Sequence, residues 1–244
     1  MKIQAGCRNC AATLAADQRF CGACGQRVIQ GRLTIREIGH DVIHAFTHAD
    51  RSIFALIGAL VRRPGRVARE YVDGHRKRYF GPFAFLVISV GIASFATYLG
   101  GVEWFAPVPN QSARAILARH FNLVALVQVP LIALFCFAFF RAVRLNFSEH
   151  LVLAAYTSGF RALLLALVEV PLHYFTGIST SDPRLIAPYF LVWTGYFAFA
   201  AVQFYGGKPW WSIIRAVLAV FAAQVMTMLF VFVFIYLYYR FGGS

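Results

Sequence analysis

The chain has 244 residues, of which 59% are apolar and only 14% charged, against roughly 25% charged in soluble domains. Lys and Arg number 23 against 10 Asp and Glu, for a net charge of +13. With 25 Phe and a mean hydropathy of +0.63, this excludes a disordered chain, an acidic binder and a secreted disulfide scaffold, and leaves an integral membrane protein with a basic cytoplasmic part.

Residues 1–30 lack the apolar core of a secretory signal and hold four of the five cysteines. Cys7-Arg8-Asn9-Cys10 is followed, ten residues later, by Cys21-Gly22-Ala23-Cys24-Gly25-Gln26. Two Cys-x-x-Cys knuckles present four thiolates to one cation, the donor set of structural Zn²⁺. Cys7, Cys10, Cys21 and Cys24 are therefore expected to ligate zinc in a small ribbon over 1–30. Gly25 permits the turn that aims backbone N–H groups at the sulfurs. Disulfides fit poorly with a reducing cytoplasm, and a redox pair would need a surrounding βαβ unit. Four sulfurs leave no open position, so the metal is structural. Lys2, Arg8, Arg19, Arg27 and Arg32 stand against Asp17, and a four-thiolate zinc centre removes about two charges from that excess. Such a surface is weak for phosphate; nucleic acid is disfavoured, and a cytoplasmic protein is the expected partner.

Residues 31–81 read as cytoplasmic or interfacial amphipathic helices. Thr34 and Glu37 fit a capping box, with Leu33, Ile38, Val42 and Phe46 on one side of the helix that follows. His40, His44 and His48 recur at i+4 beside Glu37 and Asp41, the spacing of a second metal site but equally of a solvated or lipid-facing polar surface, which is the favoured reading. Ser52–Arg63 reads as a short interfacial helix stopped by Pro64. Arg76, Lys77 and Arg78 are placed against the anionic inner leaflet.

Residues 82–244 carry nine Lys or Arg and four Asp or Glu, against fourteen and six in 1–81. About 20 helical residues cross a bilayer. Runs at 79–102, 121–140, 151–175, 185–207 and 216–239 predict five spans in an all-α transmembrane domain. With the amino terminus inside, eighteen basic residues (fourteen from 1–81, then Arg141, Arg144, Lys208 and Arg215) face inward, and four (Arg114, Arg119, Arg184 and Arg240) face outward. This predicts an inner membrane protein with its carboxyl terminus outside. Trp104, Trp193, Trp210 and Trp211 are expected near the interfaces. Cys136 reads as a small apolar residue.

Arg161 and Glu169 interrupt the third span. A charge at mid-depth costs about 2.5–3.5 kcal/mol on insertion scales and so seeks a partner. Eight positions separate the two, too far for a direct pair, and Gln128, Gln203 and Gln224 are the candidate partners. His173 follows one turn later, and Pro171 loosens the backbone between them. The pair marks either a polar pocket or ion path, or one buried structural charge with Glu169 and His173 at the outer interface. No glycine-rich phosphate loop, nucleophile elbow or Asp-rich motif is present, so no catalytic residue is assigned. The leading expectation is a non-enzymatic, membrane-anchored scaffold or regulator. A small transporter or channel using Arg161 and Glu169 is the alternative, and a lipid-directed membrane enzyme comes third.

Phe20-Cys21-Gly22-Ala23-Cys24-Gly25-Gln26, the stretch Pro64–Pro82 and Asn146-Phe147-Ser148-Glu149-His150 together resemble a bacterial membrane family of unknown function. Its members join a four-cysteine zinc ribbon to a multi-span carboxyl half. Ala11 departs from the glycine that the resemblance implies after the first knuckle. The resemblance implies this architecture and no activity.

Overall fold

The computed structural model of the protein describes residues 6–15, 18–28, 32–35, 52–102, 121–178 and 182–241. Helices dominate: α1 Ser52–Arg62 and α2 Pro64–Asp73, α3 Pro82–Leu99, α4 Phe121–Phe139, and α5 Phe147–Leu164. A π-helical turn, Leu165–Glu169, carries α5 into α6, Val170–Thr176. α7 Pro183–Tyr205 and α8 Pro209–Phe241 complete the described chain. Among the described residues there is no strand, only one isolated bridge between Phe20 and Arg27.

Local chemistry sets these ends. Pro64, Pro82 and Pro183 open their helices in the first turn, where the missing N–H costs nothing. Asn146 caps α5, accepting from the Glu149 amide at 2.9 Å while the Glu149 carboxylate accepts from the Asn146 amide at 2.8 Å. Gly74 ends α2 in the left-handed region at φ 112°. The π-turn has its own cause. Pro171 has no N–H, and in a regular helix its ring would strike the Leu167 carbonyl four residues back; the widened turn immediately before it makes room.

Small residues let the helices approach. Gly159 of α5 faces Phe85 and Leu86 of α3, and Ala200 and Ala201 of α7 and Ala216, Ala219 and Ala223 of α8 are fully buried. Close packing of this kind replaces the hydrophobic drive that is absent in lipid. α3, α5 and α8 run away from the end that holds α1 and α2, and α4 and α7 return toward it. Large apolar side chains such as Phe95, Leu191, Phe221 and Phe232 stay exposed, a surface suited to hydrocarbon rather than water.

Four helical stretches among the described residues are long and apolar enough to cross a membrane: Arg76–Leu99, Phe147–Thr176, Pro183–Tyr205 and Pro209–Tyr238. Four of the five expected spans are thus matched among the described residues. The fifth candidate, α4, is classed as a shorter apolar helix over Leu123–Phe139, and residues 103–120 before it lie outside the described set.

α1 and α2 do more than tether the spans. Leu56, Leu60, Val67, Ala68 and Tyr71 are buried in the same core as α5 and α7. The Tyr196 hydroxyl donates to the Leu60 carbonyl at 3.1 Å, and Tyr71 meets Tyr156 edge-on at 6.0 Å. The Tyr156 hydroxyl in turn donates to the Phe80 carbonyl at 2.7 Å. A platform results at one end of the bundle, and the cysteine module rests on it.

Candidate metal centre and membrane cavity

The two knuckles fold into matching turns. In the first, the Ala11 amide donates to the Cys7 carbonyl, and in the second the Gly25 amide donates to the Cys21 carbonyl, both at 2.8 Å. The matching residues have positive φ, 60° for Ala11 and 67° for Gly25. Ala11 thus keeps the turn that glycine would make, at a cost of about 1 kcal/mol for its Cβ. The four sulfurs converge, all within 4.8 Å of one another. Cys7 Sγ lies 3.7 Å from Cys24 Sγ and Cys10 Sγ 3.6 Å from Cys21 Sγ. A tetrahedron with metal–sulfur bonds of about 2.3 Å has edges near 3.8 Å, so the donor set fits a metal ion. The amides of Cys24 and Ala23 draw the Cys21 thiol down to about 6. At Cys10 the Ala12 amide acts in the same direction, but desolvation and the neighbouring sulfurs outweigh it and push that thiol up to about 12. Four thiolates cannot all ionise this close together without a cation among them.

The module is docked through one side chain above all. Gln26, two residues after Cys24, is buried; its amide donates to the Gly74 carbonyl at 2.6 Å and its oxygen accepts from the amides of Arg76 and Lys77 at 3.2 and 3.3 Å. The Arg8 side chain lies against Gly74, where a Cβ would come within 2.8 Å of it. A second clamp lies further along. Arg32 binds the Glu149 carboxylate with two N–H groups, one at 3.0 Å, and donates to the Arg144 carbonyl at 2.8 Å. Asn146 donates to the Leu33 carbonyl at 2.9 Å. Glu149 has only 5% of its side chain exposed, so it completes the α5 cap and holds the amino-terminal segment at once. Replacing Gln26 with alanine strands three backbone groups in the junction and is expected to weaken docking by about 2 kcal/mol. Limited proteolysis checks this: the module is released faster while its metal content is unchanged.

Within the bundle, a cavity of about 550 Å³ opens among α3, α4, α5, α7 and α8. Arg161 borders it. Its Nε donates to the Tyr189 hydroxyl at 3.0 Å and one terminal nitrogen donates to Gln128 Oε1 at 2.8 Å. Gln128 passes the chain on to Gln224 Oε1 at 2.7 Å. The guanidinium carbon stands 4.4 Å from the centre of the Trp193 ring.

Of the expected partners, Gln128 is direct and Gln224 is one bond removed. Gln203 is not a partner: it accepts from the amides of Gly65 and Arg66 at 3.1 and 3.3 Å, capping α2. Glu169 forms no hydrogen bond or ion pair among the described residues and does not line the cavity. His173 Nδ1 pairs with the Ile178 carbonyl at 2.6 Å. Trp193 is turned into the bundle and not out to its surface: it is 1% exposed and lies under the Arg161 guanidinium. Tyr189 and Trp193 were missed by sequence reasoning, although two polar-tipped aromatics at i and i+4 within a span were the available signal. Cys136 is buried as expected, next to a pair that reasoning also missed, His150 Nδ1 and the Tyr205 hydroxyl at 2.7 Å. Glu37, His40, Asp41, His44, His48, Trp104, Arg114 and Arg119 lie outside the described residues.

Residues 50–93 match the family model of DUF3667, a protein family of unknown function. No curated protein and no solved structure matches the chain. The DUF3667 stretch contains α1, α2 and the start of α3, including Pro64–Pro82. The other two stretches of resemblance meet the same end of the bundle from outside the match. Phe20–Gln26 reaches Gly74, Arg76 and Lys77 of the DUF3667 stretch through Gln26. Asn146–His150 opens α5, which packs on α2 of that stretch.

Proposed function

We propose that the chain is a multi-pass bacterial inner membrane protein whose cytoplasmic module holds one structural Zn²⁺ on Cys7, Cys10, Cys21 and Cys24, and that it works as a non-enzymatic scaffold or regulator engaging a cytoplasmic protein. One observation carries the reading. A closed four-sulfur site is bonded to the transmembrane bundle through Gln26 and Arg32, so the module is held in a set pose over one end of the spans. Phe20, 60% exposed, is the aromatic anchor it offers to a partner.

In this reading α4 is the fifth span. Its 19 residues reach about 28 Å, and Gln128 on it meets α5 and α8 deep in the bundle. The domains are then the ribbon over 1–30, the helical platform over 31–81 and five spans over 82–244. The basic loops at the module's end, with Arg76–Arg78, Arg141, Arg144 and Lys208, support a cytoplasmic position for that end; five crossings then put the carboxyl terminus outside.

A photo-crosslinking residue at Phe20 in living cells tests the partner reading. A discrete protein adduct is expected with the native cysteines, lost in the Cys21→Ser, Cys24→Ser double variant and kept in Arg161→Ala. An adduct indifferent to the cysteine changes overturns the reading. So does a cellular phenotype lost only in Arg161→Ala with Glu169→Gln, which is the result for a transporter or channel. The cavity at Arg161 favours that second reading; Glu169, absent from its lining, does not.

A further inference from the structure

Arg161 sits 14 residues into the 30-residue helical stretch Phe147–Thr176, about 21 Å from its start, at mid-depth of the bundle. Both groups that receive its hydrogen bonds, the Tyr189 hydroxyl and the Gln128 amide oxygen, are neutral. So is the Trp193 ring beneath it. Among the described residues no carboxylate pairs with it. A guanidinium offers five N–H donors, and two are used here. A full positive charge thus stands at mid-depth, hydrogen-bonded among the described residues only to neutral groups, with Glu169 acting on it through space and not by contact and with donors left over.

The space in front of it is of ligand size. At about 550 Å³ it falls within the roughly 300–1,000 Å³ of small-molecule sites. Arg161, Gln128 and Gln224 form one hydrogen-bonded polar group on its wall, while Leu86, Val90 and Ala93 of α3 and Phe190 of α7 line it with hydrocarbon. A small hydrated anion would leave those walls unmatched. A neutral lipid would leave the charge unmatched.

We propose that this cavity binds a long-chain carboxylic acid, its carboxylate on Arg161 and its hydrocarbon chain along Leu86, Val90 and Ala93. The depth selects the head group. A carboxylic acid crosses hydrocarbon in its protonated, uncharged form, whereas a phosphate monoester would carry its charge through the bilayer at a far greater cost. The planar carboxylate also matches the guanidinium fork. The site is independent of the cysteine module.

The test is equilibrium binding of radiolabelled palmitate to the full-length protein in phosphatidylcholine nanodiscs. Saturable binding of one palmitate per chain is expected, weakened at least tenfold by Arg161→Gln, and unchanged by Cys21→Ser with Cys24→Ser. Hexadecanol, the uncharged counterpart, competes at least tenfold more weakly than unlabelled palmitate. Because Arg161→Gln removes a buried group, Ala93→Phe serves as a second variant that fills the cavity with Arg161 intact. Loss of binding with helical content retained is expected. The proposal is overturned by no saturable binding, by undiminished binding in Ala93→Phe, by hexadecanol equal to palmitate, or by displacement by acetate or inorganic phosphate at the palmitate concentration. The last would make the site one for a water-soluble anion. Stronger competition by lysophosphatidate than by palmitate also overturns it, in favour of a phospholipid head group.

Discussion

Replacing Cys21 and Cys24 together with serine is expected to abolish metal binding and unfold the amino-terminal module while the helical bundle remains folded. The module is too small to fold on apolar burial: among its described residues Cys7 and Cys21 are the buried apolar ones. Metal coordination supplies on the order of 10 kcal/mol or more to modules of this kind. Losing two of four ligands forfeits most of that, and Gln26 loses the turn that aims it at Gly74. The bundle has its own core, in which Phe85, Tyr156, Trp193 and Phe204 are almost completely buried. Two measurements check this. Metal analysis of the purified native protein should give one zinc per chain, and none in the double variant; much less than one in the native protein contradicts the site. Thiol labelling of the native protein should show four cysteines becoming reactive on chelation, while Cys136, 1% exposed, reacts only after the bundle is denatured. If all five react together on chelation, the module and bundle do not fold separately.

Gly65→Ala is expected to be the most damaging single methyl group that can be added at the platform. Gly65 lies where α2 crosses α7, and a Cβ there would stand 1.9 Å from the Ala200 carbonyl oxygen, 2.6 Å from Gln203 Cβ and 2.8 Å from the Phe204 amide. Two of these are backbone atoms of a span and cannot turn aside. α2 must instead lift from α7, breaking the two hydrogen bonds by which Gln203 caps it and loosening Val67, Ala68 and Tyr71 from the core. The cost is about 3 kcal/mol or more. Gly58→Ala and Gly91→Ala are the controls, since a Cβ at either meets nothing within 4 Å; in a helix that exchange is neutral or stabilising by up to about 1 kcal/mol. Unfolding in mixed detergent micelles should rank Gly65→Ala far below both. A Gly65→Ala protein as stable as Gly91→Ala would mean that α2 is not packed on α7 as described.

The clustering of the four cysteines was legible because its information is local. Two Cys-x-x-Cys turns each place two sulfurs by short-range geometry, and only one fact about distance in space was needed, that the turns face each other. The helical ends were legible for the same reason: Pro64, Pro82, Asn146 and Pro183 act within one turn of themselves. The span count was less secure, because a hydrophobic run specifies an apolar helix but not the residue at which its turns begin. Partners were harder still. Gln128, Gln203 and Gln224 look alike in sequence, each a lone amide in an apolar run. One supports the guanidinium, one caps a platform helix and one holds the first amide in place.

From its sequence alone, then, this protein was determined to be a basic, multi-span helical membrane protein with a four-sulfur centre at its amino terminus, because composition, periodicity and short-range turns carry that information. Only the tertiary structure decided that the three separated stretches Phe20–Gln26, Pro64–Pro82 and Asn146–His150 meet at one end of the bundle, and that Arg161 faces a cavity with neutral partners. Both depend on which helix faces share an interface. In an apolar chain, where nearly every face is compatible with lipid, that choice is made by the close approach of small residues such as Gly65, Gly159 and Ala200, which no hydrophobic pattern marks.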